Sequence, residues 1–128
     1  MTKPTVAILG ASAERSKFGN KSVRAHLQQG YEVYPVNPKG GEIEGLPVFK
    51  SLADVPVARL NRISVYLPPA VGLQMLPAIA AKKPREVWFN PGSESDDLLD
   101  AAADLHLRTV VGCSILALGR SPAEFPDA

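Results

Sequence analysis

The sequence holds a single cysteine, Cys113, so no internal disulfide framework is available to it, and a reducing compartment is the natural expectation. Aromatic residues are sparse at 6%, and neither sign of charge is in excess, with 14 Lys and Arg against 13 Asp and Glu. That balance excludes a broad basic footprint for nucleic acid or for an anionic membrane surface, so any anion must be held by a few local groups. No apolar run is long enough to span a bilayer, and the opening MTKPTVAILG is too short for the apolar stretch of a secretion signal. A cytoplasmic chain that engages neither membrane nor nucleic acid is expected. Internal repeats and low-complexity segments are also missing, and 128 residues suit one domain, residues 1–128, around one core.

What is present alternates between two periodicities. Thr5–Leu9 is an apolar run closed by Gly10; the helical pattern of Lys21–Gln29 stops at Gly30, a natural position for a helix-ending glycine. Tyr31–Val36 reads as a second strand with Pro35 near its end, and Gly and Pro mark Asn37–Pro47 as a loop. Ser51 with Asp54 suggests a capped helical turn. Arg62–Leu67 predicts a third strand, and residues 68–84 a helix with proline at its start and Pro77 as a possible break. Glu86–Phe89 and Thr109–Val111 predict two more strands, separated by a helix capped by Ser93 or Ser95 and running to about Leu107. The proline-bearing tail, residues 120–128, is expected to be loosely ordered. Strands alternating with helices in this way predict a doubly wound α/β fold, a five-stranded and mainly parallel sheet with helices on both faces.

In such a sheet ligands bind beyond the carboxyl ends of the strands, so the loops after the strands are where function is sought. Gly10 permits a tight turn, Ser12 brings a hydroxyl, and the amides opening the next helix can cradle a phosphate. The full G-x-G-x-x-G dinucleotide signature is absent, because Ser12 and Arg15 stand where it needs glycine. An NAD-binding chain would end its second strand in an acid, but here the strand ends in Asn37, followed by Pro38 and Lys39. An amide tolerates a phosphorylated neighbour, and the lysine supplies a point charge toward it. The ligand expected is therefore richer in phosphate than NAD: coenzyme A, or alternatively NADP. Pro68 and Pro69 build an apolar wall after the third strand, or else simply start a helix. Arg15 and Lys17 add cations nearby, with solvated loop charge as the simpler account of Arg15.

The stretches VAILGAS and KFGNKSVRAHLQQGYEVYPVNPKGGEIEGLPVFKSLADVP resemble the CoA-binding domain family, the Rossmann-like module also found at the N-terminus of succinyl-CoA synthetase alpha chains and ADP-forming acyl-CoA synthetases. The resemblance covers essentially the whole chain and is most specific at YPVNPKGGEIEGLPVFKSLADVP. It implies that Gly10, Ala11 and Ser12 lie on nucleotide phosphates and that Lys39 pairs with a phosphate of coenzyme A. Lys17 and Gly19 would belong to the loop beside them, and Asn37 and Pro38 would shape the adenosine side. Leu67, Pro68 and Pro69 would line adenine and ribose, and Pro91 and Gly92 would border the pantetheine exit. The synthetases carry further domains with the phosphorylated histidine, which this sequence does not contain. The resemblance therefore implies non-catalytic binding of coenzyme A or an acyl-CoA, as a sensor, carrier or presenting module. The alternatives are a coenzyme A-binding subunit working in trans with a separate acyl-CoA ligase chain, or an NADP-binding reductase fragment; a homodimer is also open.

Candidate catalysts are few. His26 and His106 are expected to be structural, and Glu94, Asp96 and Asp97 suit the first turn of a helix through its dipole. No metal-ligand spacing occurs, and no catalytic residue is assigned. Cys113 follows the fifth strand; burial as a small apolar residue is favoured over a mixed disulfide with the coenzyme thiol.

Overall fold

A computed structural model describes residues 3–128. In chain order it contains β1 (Thr5–Leu9), α1 (Phe18–Gln28), β2 (Glu32–Val36), the short β3 (Glu42–Ile43) and β4 (Leu46–Pro47), β5 (Arg62–Val65), α2 (Pro69–Ala81), β6 (Glu86–Phe89), α3 (Asp96–Asp104), β7 (Thr109–Val111) and α4 (Ser114–Ala117). Five strands form one parallel sheet in the order β2-β1-β5-β6-β7, the Rossmann-like arrangement expected. β3 and β4 form a separate antiparallel pair inside the segment read as a loop.

Alternation along the strands sends side chains to two cores. Ala7, Leu9, Ile63, Val65, Val87 and Phe89 face Leu76 and Ile79 of α2 and Leu98 and Ala102 of α3. Val6, Ile8 and Val33 face Val23 of α1 on the other side, where α4 also packs on α1. β1, flanked by β2 and β5, is buried on both faces from Val6 to Leu9 and so reads as a continuous apolar run. Pro35 lies one residue before the end of β2 at Val36, as expected, and is tolerated there because β2 is an edge strand.

Several boundaries differ from expectation for identifiable reasons. α1 starts at Phe18, three residues early by pattern, because Lys17 caps through its backbone alone. α2 runs unbroken through Pro77, whose exposed position leaves the orphaned Leu73 carbonyl on the solvent side. Ser95, not Ser93, caps α3 by accepting from the Leu98 amide at 3.1 Å. Ser51 makes no backbone cap; its hydroxyl donates instead to the Asp54 carboxylate at 3.0 Å. Gly30 closes α1 as expected, with its amide bonded to Leu27 and that of Tyr31 to His26.

The tail departs most from expectation. Instead of hanging loosely, it forms a 3-10 turn, Pro122–Glu124, with a reciprocal cap in which Ser121 accepts from Ala123 and donates its amide to Glu124. Phe125 is 8% exposed, packed with Ala25 and Ile115 under the Arg24 guanidinium. Arg24 donates to the Pro126 carbonyl at 2.9 Å, and Lys21 pairs with Asp127 at 2.7 Å. Two prolines argued for disorder, but one buried aromatic anchors the segment across α1. No helix among the described residues is long and apolar enough to cross a membrane.

Candidate functional site

From β1 the chain first winds outward to β2, then passes to the other side to build β5, β6 and β7. The loops leaving β1 and β5 therefore part, and a crevice opens at the carboxyl ends of the strands. A cavity of about 600 Å3 fills it.

The first wall is the turn after β1. Gly10 has φ of +86°, and a Cβ there would meet the Tyr66 carbonyl oxygen at 3.0 Å, so only glycine fits. Gly19 does not belong to a loop, as the resemblance implied, but to the first turn of α1, where it is buried and packed still more tightly: a Cβ would lie 2.4 Å from the Gly10 carbonyl oxygen. The two glycines thus bring the helix start directly against the turn. Amides of Ala11, Ser12 and Ala13 engage no acceptor among the described residues, and those of Phe18 and Gly19 open the helix, where no intrahelical acceptor exists. Such a set of free donors beside a helix N-terminus is suited to phosphate oxygens. The Ser12 hydroxyl accepts from the Glu14 amide at 3.1 Å, shaping the turn while its own proton remains available.

The second wall follows β2. Pro38 occupies the second position of a turn in which the Gly40 amide bonds to the Asn37 carbonyl at 3.0 Å. Asn37 does not simply leave room for a phosphate. Its Nδ2 donates to the Ala11 carbonyl at 2.8 Å and its Oδ1 accepts from the Lys39 amide at 2.9 Å. An ionised aspartate could not make the first of these bonds, so the amide is required by the fold of the two loops themselves. Lys39 is exposed on the cavity rim and makes no ion pair among the described residues.

Leu67, Pro68 and Pro69, after β5, form the apolar side; Pro91 and Gly92, after β6, complete the rim. Every predicted binding residue except Pro38 lines the cavity, and Pro38 is exposed in the turn that carries Lys39. Lys17 is also on the rim, 3.8 Å from Glu14, an acid that the sequence reading left out of the site. Both are exposed, so their attraction is weak. Arg15 lies away from the cavity, bonded to Glu44 at 3.3 Å and to the Ala128 carbonyl at 3.1 Å.

Phe18, Tyr66 and Ser93 line the cavity too and were not anticipated. Each immediately neighbours a residue that was, so the loops were found but not their full reach. Tyr66 stands on a buried polar cluster. Its hydroxyl is 3.2 Å from Ser114 Oγ, which lies 2.7 Å from Ser64 Oγ, and Asn90 donates to Ser64 at 2.9 Å. Asn90 also accepts from the Ser114 amide at 2.8 Å, tying β5, β6 and α4 together below the cavity floor. Burial raises the Tyr66 phenol above its ordinary range, which keeps it neutral.

The residues considered for chemistry lie elsewhere. His26 is fully buried, with Nδ1 2.8 Å from the Ser22 carbonyl and Nε2 3.3 Å from Arg62. Arg62 can only donate, so Nδ1 carries the proton. Burial, aided by the Arg62 charge, lowers its pKa to about 4. His106 is exposed and occupies the left-handed position after α3, at φ of 59°. Asp96 and Asp97 fall in the first turn of α3, as the dipole favours. Cys113 is partly buried against the Ala25–Ile115–Phe125 cluster and is not among the residues lining the cavity. No group of three or more His, Cys, Asp or Glu side chains among the described residues could hold a metal ion.

Fold and cavity together define a Rossmann-like α/β protein with a ligand crevice at its switch point. The chain belongs to the CoA binding domain family, whose sequence profile matches residues 4–119. Over 58 residues it is 43% identical to the alpha subunit of ADP-forming acetate–CoA ligase I of Pyrococcus furiosus; the match covers 41% of this chain and 13% of that subunit. This chain therefore corresponds to only a small part of that relative's length. Among solved structures, a conserved hypothetical protein from Pyrococcus furiosus is similar at TM-score 0.80 and 30% identity, covering 91% of this chain and 99% of the other. A Thermus thermophilus protein designated cell-free ID.343 is similar at TM-score 0.82 and 29% identity, covering 89% and 87% respectively. The family favours coenzyme A over the NADP alternative.

Proposed function

We propose that the crevice binds coenzyme A or an acyl-CoA and that this chain senses, carries or presents the ligand without transforming it. The observation that carries the reading is the convergence of the unpaired amides after Gly10 with the unpaired Lys39 ammonium across one cavity. In this reading the amides of Ala11 and Ser12 hold the pyrophosphate and Lys39 takes a further phosphate. Leu67, Pro68 and Pro69 cover the adenosine, and the arm leaves past Pro91 and Gly92. Calorimetric titration with coenzyme A, dephospho-coenzyme A and NADPH tests it. Saturable heat with coenzyme A is expected, and Lys39→Ala should weaken binding by roughly 1 to 3 kcal/mol. Binding of NADPH with no response to millimolar coenzyme A would overturn the assignment.

The likeness to a ligase alpha subunit supports a second reading, in which the chain supplies the coenzyme A site to a separate ligase-type partner. Co-purification with such a chain, and ligase activity only in the mixture, would favour it over a free-standing binder.

A further inference from the structure

A second cleft of about 280 Å3 lies at the opposite edge of the sheet, where the strands begin. Each of the five parallel strands contributes to it: Pro4 before β1, Tyr31 before β2, Asn61 before β5, Arg85 and Glu86 at β6, and Arg108 before β7. The backbones are fixed to one another. Glu86 donates its amide to Asn61 at 3.2 Å, Val87 to Arg108 at 2.8 Å, and Glu32 to Pro4 at 2.8 Å.

Most of the spare hydrogen-bonding capacity of this cleft is that of donors. Asn61 spends its Oδ1 on the Thr5 amide at 2.8 Å and the Thr5 hydroxyl at 3.1 Å, while its Nδ2 engages no acceptor among the described residues. The Arg85 and Arg108 guanidinium groups are exposed and form no ion pair among the described residues. The carboxylate that lines the cleft, Glu86, is matched in charge by Arg62: its Oε1 takes 2.8 Å bonds from both Nε and Nη2 of Arg62, which leaves the two cleft arginines in excess. Arg62 is 8% exposed, held between the Tyr31 and Trp88 rings, and cannot leave that carboxylate without burying an unpaired charge. What remains at the cleft is two arginine forks, a side-chain amide donor, a phenol and the second oxygen of Glu86, with a net excess of positive charge once Glu86 is set against Arg62. Lone surface arginines are commonly just solvated. Two that rim a cavity of donors on a locked backbone match an oxyanion with several acceptor oxygens.

We propose that this cleft is a second anion site, separate from the nucleotide crevice, that binds a small phosphate-bearing molecule through Arg85, Arg108 and Asn61. The test is a 1H–15N NMR titration of the full chain with inorganic phosphate at pH 7.5, with sodium chloride at matched ionic strength as the reference. The expected result is saturable movement of the Asn61 side-chain amide and the Arg85 and Arg108 Nε–H signals, with a midpoint below about 10 mM. It should persist in Lys39→Ala and weaken by about tenfold or more in the Arg85→Gln, Arg108→Gln double variant. Both arginines are exposed, so the double variant should fold, and an unchanged amide spectrum would show it. Movement that chloride reproduces, that does not saturate, that survives in the double variant, or that is confined to Gly10–Ser12 overturns the proposal.

Discussion

Asn37→Asp exchanges one non-hydrogen atom of the chain and should be costly at neutral pH. The substitution leaves the Oδ1 bond from the Lys39 amide in place but turns the Nδ2 donor, 2.8 Å from the Ala11 carbonyl, into an acceptor. Ala11 is fully buried, so its carbonyl has little recourse to water. Losing one net hydrogen bond costs about 1 kcal/mol, and leaving a buried acceptor unpaired about 1 to 3 more. A stronger, charge-assisted bond from Lys39 offsets part of this. The balance is about 2 kcal/mol, which lowers the urea midpoint by about 1 M for a domain of this size. The loss should depend on pH with a definite sign. Because the ionised carboxylate faces a carbonyl, the folded pKa of the new aspartate is raised, by about 1.5 units for 2 kcal/mol. A raised pKa means that stability is present below the unfolded value, near 3.9, and lost as pH rises through the folded one. Urea unfolding of variant and parent in parallel should show about half the gap, ~1 kcal/mol, at pH 4.5 and the full gap at pH 7.5; the His26 titration is common to both and cancels. A deficit below about 0.5 kcal/mol, or one equal at the two pH values, would refute the role given to the Asn37 amide.

Gly19→Ala should destabilise the chain by about 3 kcal/mol and weaken coenzyme A binding, since its Cβ would sit 2.4 Å from the Gly10 carbonyl oxygen; unaltered thermal stability would contradict the close packing. The lowered pKa of His26 makes the unfolded chain bind more protons than the folded one between pH 6.5 and about 4. About 3 kcal/mol of stability present above that window should therefore be lost as pH falls through it, and His26→Gln should remove this component from urea curves. Phe125→Ala should cost roughly 2 to 3 kcal/mol, below the usual range for a core phenylalanine because the site borders solvent, and should raise proteolysis of residues 119–128. A tail cleaved equally in both proteins would show that the aromatic does not anchor it.

The fold class was legible because its signals are local. Val6–Leu9 is apolar on every residue because β1 is covered on both faces there, and Gly10 and Gly30 mark turns that only a short stretch of chain has to satisfy. The site was legible for a related reason: in a doubly wound sheet the loops after the strands must converge, so Gly10, Lys39, Leu67 and Gly92 could be grouped without coordinates. Other features depend on residues far apart in the chain. Nothing near Asn37 announces that its partner is the carbonyl of Ala11, and nothing in a proline-bearing tail announces that Phe125 meets Ala25 across α1. His26 lies mid-helix in the sequence, but its neutral state follows from burial beside an arginine on β5. The cleft formed by Asn61, Arg85 and Arg108 gathers loops at the amino ends of three strands. Periodicity and turn residues constrain a chain over a few positions at a time, whereas hydrogen-bond partners and charge environments are set by which segments the sheet order brings side by side.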